Sequence, residues 1–170
     1  MDGTVTRVGI VGHRYFNDRS TGEFIYQQSY QFLRQLKLID PTLITISAIA
    51  EGADTLFAEA AIKLDLPLEI VRPFRKYIDD FQSEGASKRY CHLKAAARNE
   101  KILPYETRSV NAYEAAMRWV VLRADLLFAV WDGLPPRGRG GTGHAVRQAI
   151  KCNRPWIHLN SREKSITYHW

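Results

Sequence analysis

The feature that most constrains the fold is an alternation: short apolar runs rich in β-branched residues, separated by stretches whose apolar residues recur at helical spacing. The runs are VTRVGIVG (5–12), TLITISAIA (42–50), LPLEIVRP (66–73), DLLFAVW (125–131) and RPWIHLN (154–160). Nearly continuous apolar strands are those buried on both faces, and strands alternating with helices build parallel βαβ units. The expected class is therefore α/β: a Rossmann-like, doubly wound, mainly parallel sheet with helices on both faces. Helices are expected at 22–39, 52–65, 109–124 and 142–152, with a further one within 83–100 and a short strand at 101–105. In the first helix Ile25, Leu33, Leu36 and Ile39 make an apolar stripe, separate from the side that carries Phe24, Gln28, Gln31 and Gln35, and Pro41 ends it.

At 170 residues the chain has the length of one domain, 1–170, and no linker, repeat or low-complexity run divides it. Its 45% hydrophobic and 25% charged content is that of a globular protein, which argues against disorder. Cys91 and Cys152 are far apart and lack ligand-spaced histidines, so neither a disulfide framework nor a metal site is expected, and a reducing cytoplasm fits best. No apolar run approaches about 18 residues, and MDGTVTRVGIVG is too polar for a signal peptide, so no membrane role is expected of this chain. The net charge of +6, from 24 Lys+Arg against 18 Asp+Glu, favours an anionic partner. The basic residues are scattered, so nucleic acid is not the expected anion.

In an open parallel sheet, ligands collect outside the carboxyl ends of the strands. Four unusual segments fall at that edge: GHRYFND, AEGAD, RPFRKYIDDF and WDGLPPRGRGGTG. In the last, Gly140, Gly141 and Gly143 leave room for backbone N–H groups to face an anion, and Arg137 and Arg139 carry guanidinium forks that match phosphate. Thr142 can cap the following helix and donate its hydroxyl. This is neither a P-loop, since no lysine follows, nor a G-x-G-x-x-G fingerprint after the first strand. Gly12, His13 and Arg14 end the first strand where a phosphate would meet N–H groups. Arg72 ends the third and is a further phosphate candidate. Glu51, Gly52 and Asp54 stand at the second strand-to-helix junction, where a carboxylate accepts from ribose hydroxyls or complements the helix dipole. Asp132, beside Gly133, is another ribose candidate, and Trp131 or Tyr113 can stack on a base or pack in the core. Asp79 and Asp80 are adjacent and so point apart on a helix; capping and a solvated face account for them better than a metal does.

In this order, GIVGHRYF, AEGADTLFAEAAIKLDLPLEIVRPF, YIDDF, NAYEAAMRWVVLRADLLFAVWDG, GRGGTGHAV and RPWIHL resemble the SLOG superfamily, the Rossmann-like group joining the Smf/DprA proteins and the LOG phosphoribohydrolases. The resemblance covers nearly the whole chain. Within the superfamily it leans to nucleotide-sensor branches related to the cytosolic region of melastatin TRP channels and to domains of bacterial antiphage systems. It implies a nucleotide-derived ligand with phosphate near GRGGTG and the first Gly-rich turn. The LOG motif PGGxGTxxE matches here in its glycines and Thr142, but its catalytic glutamate falls on Ala145, which leaves the glycosidase chemistry without its carboxylate.

Three readings follow. The first is a sensor for ADP-ribose, NAD or a cyclic signalling nucleotide, working through a homo-oligomer, an effector domain or a partner protein, with Phe24, Tyr26, Tyr30 and Phe32 offering an apolar surface. The second is an N-glycosidase on nucleoside monophosphates, with Glu51 or Asp54 stabilising positive charge on the ribose. The third, ranked last, is single-stranded DNA binding as in DprA.

Overall fold

The computed structural model of the chain describes residues 6–135 and 141–170. Among these residues, β1 (Arg7–Gly12), β2 (Ile44–Ser47), β3 (Leu68–Arg72), β4 (Asn99–Ile102), β5 (Leu126–Trp131), β6 (Trp156–Asn160) and β7 (Ser165–His169) form one sheet in the order β4-β3-β2-β1-β5-β6-β7. All neighbours pair in parallel except β6 and β7. The helices are α1 (Arg19–Ile39), α2 (Ala53–Lys63), α3 (Glu84–Ala96), α4 (Val110–Arg123) and α5 (Thr142–Lys151). This is the Rossmann-like α/β architecture that the alternation implies.

The period of two along each strand divides its apolar run between two cores. Leu126, Phe128 and Val130 of β5 join Val8 and Ile10 of β1 under α1 and α2, against Ile25, Leu33, Phe57, Ala60 and Ala61. Leu127 and Ala129 join Val11 and Ile46 on the other face, against Val120 and Val121 of α4 and Ala145, Val146 and Ala149 of α5. A third cluster under α3 gathers Leu68, Ile70, Phe74, Tyr77, Phe81, Tyr90 and Leu93.

Several boundaries differ from the sequence reading, each for a local reason. α1 starts at Arg19 because the Asp18 carboxylate accepts from the Thr21 amide at 2.8 Å. Its stripe is buried at Ile25 and Leu33, but Ile39, in the last turn, is exposed. Phe24, Tyr26, Tyr30 and Phe32 pack against the α1–α2 core while remaining partly exposed. The strand expected at 101–105 lies at 99–102, where it registers with Glu69–Arg72 of β3; Pro104, with no N–H, falls beyond it. β7 was not foreseen: a turn reverses the chain after Asn160, Ile166 packs on the core, and His169 stacks on Trp156 at 3.9 Å.

Cys91 and Cys152 are unpaired thiols. Among the described residues no helix is long and apolar enough to cross a membrane.

Candidate functional site

From β1 the chain steps outward through β2 and β3 to β4, then returns to place β5 on the opposite side of β1. The crevice between the carboxyl ends of β1 and β5 is therefore the topological switch point, where such sheets bind ligands. A cleft of ≈ 690 Å³ opens there, a size that suits a nucleotide-sized molecule. Its lining includes Gly12, His13, Arg14, Asp54, Trp131, Asp132, Gly141 and Thr142, together with Tyr77, Arg108 and Tyr113.

The floor is set by two glycines. A Cβ on Gly12 would lie 2.4 Å from the Ala53 Cβ, so its bare backbone lets the start of α2 dock on the end of β1. Gly52 has φ +99°, and a Cβ there would lie 2.3 Å from the Arg14 carbonyl oxygen. The His13 amide donates to Val130 O at 3.0 Å, and His13 O accepts from the Ala53 amide at 3.0 Å. The loop after β1 is thereby tied to both β5 and α2.

That loop delivers Arg14. Its Nη1 donates to Asp80 Oδ2 at 2.7 Å, and the Tyr113 hydroxyl donates to the same oxygen at 2.7 Å. Arg14 and Arg108 have their guanidinium carbons 4.8 and 5.9 Å from the centre of the Tyr113 ring. Burial works against the charge on Arg14, but Tyr77, Asp80 and Tyr113 more than restore it and raise its pKa, so the cleft keeps a fixed cation. Asp54, in the first turn of α2, is buried in the wall; desolvation pushes its carboxyl up to about 7 against the pull of Arg14 and of an Ala50 backbone hydrogen bond.

The opposite wall is the start of α5. Its N-cap is Gly141, and among the described residues it has neither a side-chain capping bond nor an acidic residue in its first turn. This leaves the positive end of the helix dipole facing the cleft. Thr142 is consequently the first helical residue and not the cap expected from the sequence.

Other expected site residues lie elsewhere. The Arg72 guanidinium pairs with Glu100 on the adjacent strand at 2.9 Å and does not line the cleft. The register explains this: Glu100 stands opposite Ile70, so Arg72 is its diagonal neighbour on the same face. Glu51 and Gly52 are not in the lining, and Glu51 Oε2 is buried without a hydrogen-bond partner among the described residues. Gly133, at φ +79°, serves the turn after β5, where the Asp132 carboxylate accepts from the Leu134 amide at 3.1 Å. Arg137, Arg139 and Gly140 lie outside the described residues.

Sequence reasoning missed Asp80 and Arg108. Asp80 is not on a solvated face: its side chain is 3% exposed, within a 3-10 turn at Tyr77–Asp80. The signal was present in the spacing, because residues three apart share one side of such a turn and Tyr77 is a core aromatic.

No protein-family model matches the sequence, and no curated protein matches it. Solved structures do match the fold. DNA processing protein A of Streptococcus pneumoniae superposes with a TM-score of 0.63 at 16% identity, over 91% of this chain and 50% of that one. The Helicobacter pylori protein of that name, described for its single-stranded DNA binding mode, gives 0.63 and 16% over 91% of this chain and 65% of its own. The molybdenum cofactor carrier protein of Chlamydomonas reinhardtii gives 0.58 and 15%, over 91% and 77%. The chain thus spans half to two thirds of the two DNA processing proteins.

Proposed function

We propose that this chain, which has the Rossmann-like fold of the SLOG superfamily, binds and senses a nucleotide-derived ligand of the class ADP-ribose, NAD or a cyclic signalling nucleotide. One observation carries the reading: one cleft at the switch point is lined both by the Arg14 cation and by the N-terminus of α5, which among the described residues has no side-chain cap. Both favour phosphate. Gly12, Gly141 and Thr142 form the cradle in this reading, joined by Arg137, Arg139 and Gly140, which immediately precede Gly141 in sequence. Asp54 and Asp132 address ribose, and Trp131 flanks the base. The output passes to a second copy, an effector domain or a partner protein.

The test is a thermal-shift panel with AMP, ADP-ribose, NAD, cyclic ADP-ribose and cyclic di- and oligonucleotides. A ligand at about one hundred times its dissociation constant stabilises by roughly 2.7 kcal/mol. A selective shift that disappears in Gly141→Glu, which fills the cradle, supports the reading. A shift that survives Gly141→Glu overturns the site.

Two observations keep other readings open to test. Asp54 is a carboxyl in the cleft lining, and its ionised form is the group an N-glycosidase would use to stabilise an oxocarbenium ribose while water replaces the base. Against it, the residue where LOG enzymes place their glutamate is Ala145, fully buried. Free base and ribose phosphate after long incubation with AMP would favour the enzyme; intact AMP would reject it. The fold shared with DNA processing protein A brings in single-stranded DNA, for which affinity must fall steeply as salt rises.

A further inference from the structure

Resting on the cleft of the preceding reading, we propose that Asp80 is the positioning residue of a two-guanidinium subsite, Arg14 with Arg108 beside Tyr113, that selects ligands carrying a diphosphate over those carrying a single phosphate.

The anchor is rigid. Asp80 ends a 3-10 turn whose Tyr77 ring meets Phe74 and Phe81 at 5.4 Å and Tyr90 at 5.7 Å, all edge to face. This aromatic cluster fixes the backbone beneath a carboxylate that is 3% exposed. Oδ2 is fully used, accepting from Arg14 and Tyr113. Oδ1 is buried and, among the described residues, has no hydrogen-bond partner; Arg108 Nε stands 3.5 Å from it. A buried carboxylate oxygen without a donor is costly, so it draws the Arg108 guanidinium inward over the Tyr113 ring.

The charges then decide the ligand. Two guanidiniums share the Asp80 carboxylate, so these three side chains together carry a net positive charge. Both arginines line the cleft, and each has five N–H donors in a planar fork, of which Asp80 occupies a minority. A single phosphate is served by Arg14 and the start of α5. A second phosphoryl group brings the extra negative charge and the acceptors that match the second fork. Arg108 is 68% exposed in its side chain, which suits a group recruited by ligand and not one needed to hold the fold. Without Asp80, two like charges would stand near one aromatic ring, and neither would be aimed.

The experiment is calorimetric titration of the full chain with inorganic phosphate, pyrophosphate, AMP and ADP. The wild type is expected to bind pyrophosphate over phosphate, and ADP over AMP, by about tenfold or more, one good charge-assisted contact being worth at least that. Arg108→Ala should bring both ratios close to one, and Arg108→Lys, which keeps the charge but loses the fork, should restore them only in part. Asp80→Asn, in protein shown by circular dichroism to be folded, should collapse the ratios as well. A wild type without discrimination, or an Arg108→Ala protein that keeps it, overturns the inference even if nucleotides bind. Pyrophosphate selectivity without nucleotide binding would instead leave the subsite standing and remove the nucleotide reading. No binding of any of the four removes both.

Discussion

Replacing Asp54 by asparagine isolates a single buried ionisable group. In the folded chain desolvation lifts this carboxyl from its usual 3.8 to about 7. Between those values the folded state holds a proton that the unfolded chain has released, so stability must fall with rising pH. The contribution is complete below about pH 4, declines by about 1.4 kcal/mol for each pH unit, and is gone above about pH 7. The whole span is about 4 kcal/mol, an upper figure because the side chain borders a cleft that water enters. Asparagine keeps the shape and an oxygen for the Ala50 hydrogen bond, but it carries no titratable proton. Urea denaturation of both proteins at about pH 4, 5, 6, 7 and 8 reads the effect directly. The stability of Asp54→Asn relative to wild type should climb by roughly 2–4 kcal/mol across that range. A difference constant to within about 0.5 kcal/mol would show that Asp54 ionises as an ordinary surface carboxyl and would refute the desolvation argument.

The same proton makes a second expectation: a phosphate ligand beside Asp54 raises its pKa further, so calorimetry should find proton uptake on binding and weaker affinity as pH rises through about 7. Gly52→Ala forces a Cβ into the Arg14 carbonyl at a φ that side chains avoid, and should cost roughly 3 kcal/mol or more in chemical denaturation. Leu33→Ala empties a fully buried position of α1 and should cost about 2–5 kcal/mol. Tyr113→Phe removes one donor to Asp80 Oδ2, and should destabilise by about 1–3 kcal/mol while lowering the ADP:AMP affinity ratio.

How far the sequence could be read depended on how local each cause is. The runs at β1 and β5 are legible because a strand buried on both faces must be apolar at every position. Gly12, Arg14 and Asp54 could be placed near one another because strand ends and helix starts share one edge of any such sheet. β7 escaped notice since SITYH has only Ile166 facing the core, and its strand exists through pairing with β6. The spacing to Tyr77 is enough to suggest that Asp80 is buried, but its partners Arg14 and Tyr113 lie far away in sequence and only the fold brings them to it. Arg72 looked like a ligand arm because Glu100, its partner, lies on a strand whose register only the folded sheet defines. Thr142 suits a cap by residue type, but the fold gives that position to Gly141 and makes Thr142 the first helical residue.

The two glycines beneath the cleft also bear on how such a site changes over generations. At Gly12 and Gly52 an added methyl collides with Ala53 or with the Arg14 backbone, so the base of the cleft admits almost no variation without refolding its surroundings. Trp131, Arg108 and Tyr113 sit on its walls, partly open to solvent, and a replacement there alters what fits without disturbing the floor. On the proposed reading, a lineage built on this scaffold can exchange one ligand for another by a few wall substitutions, while the place of binding stays the same.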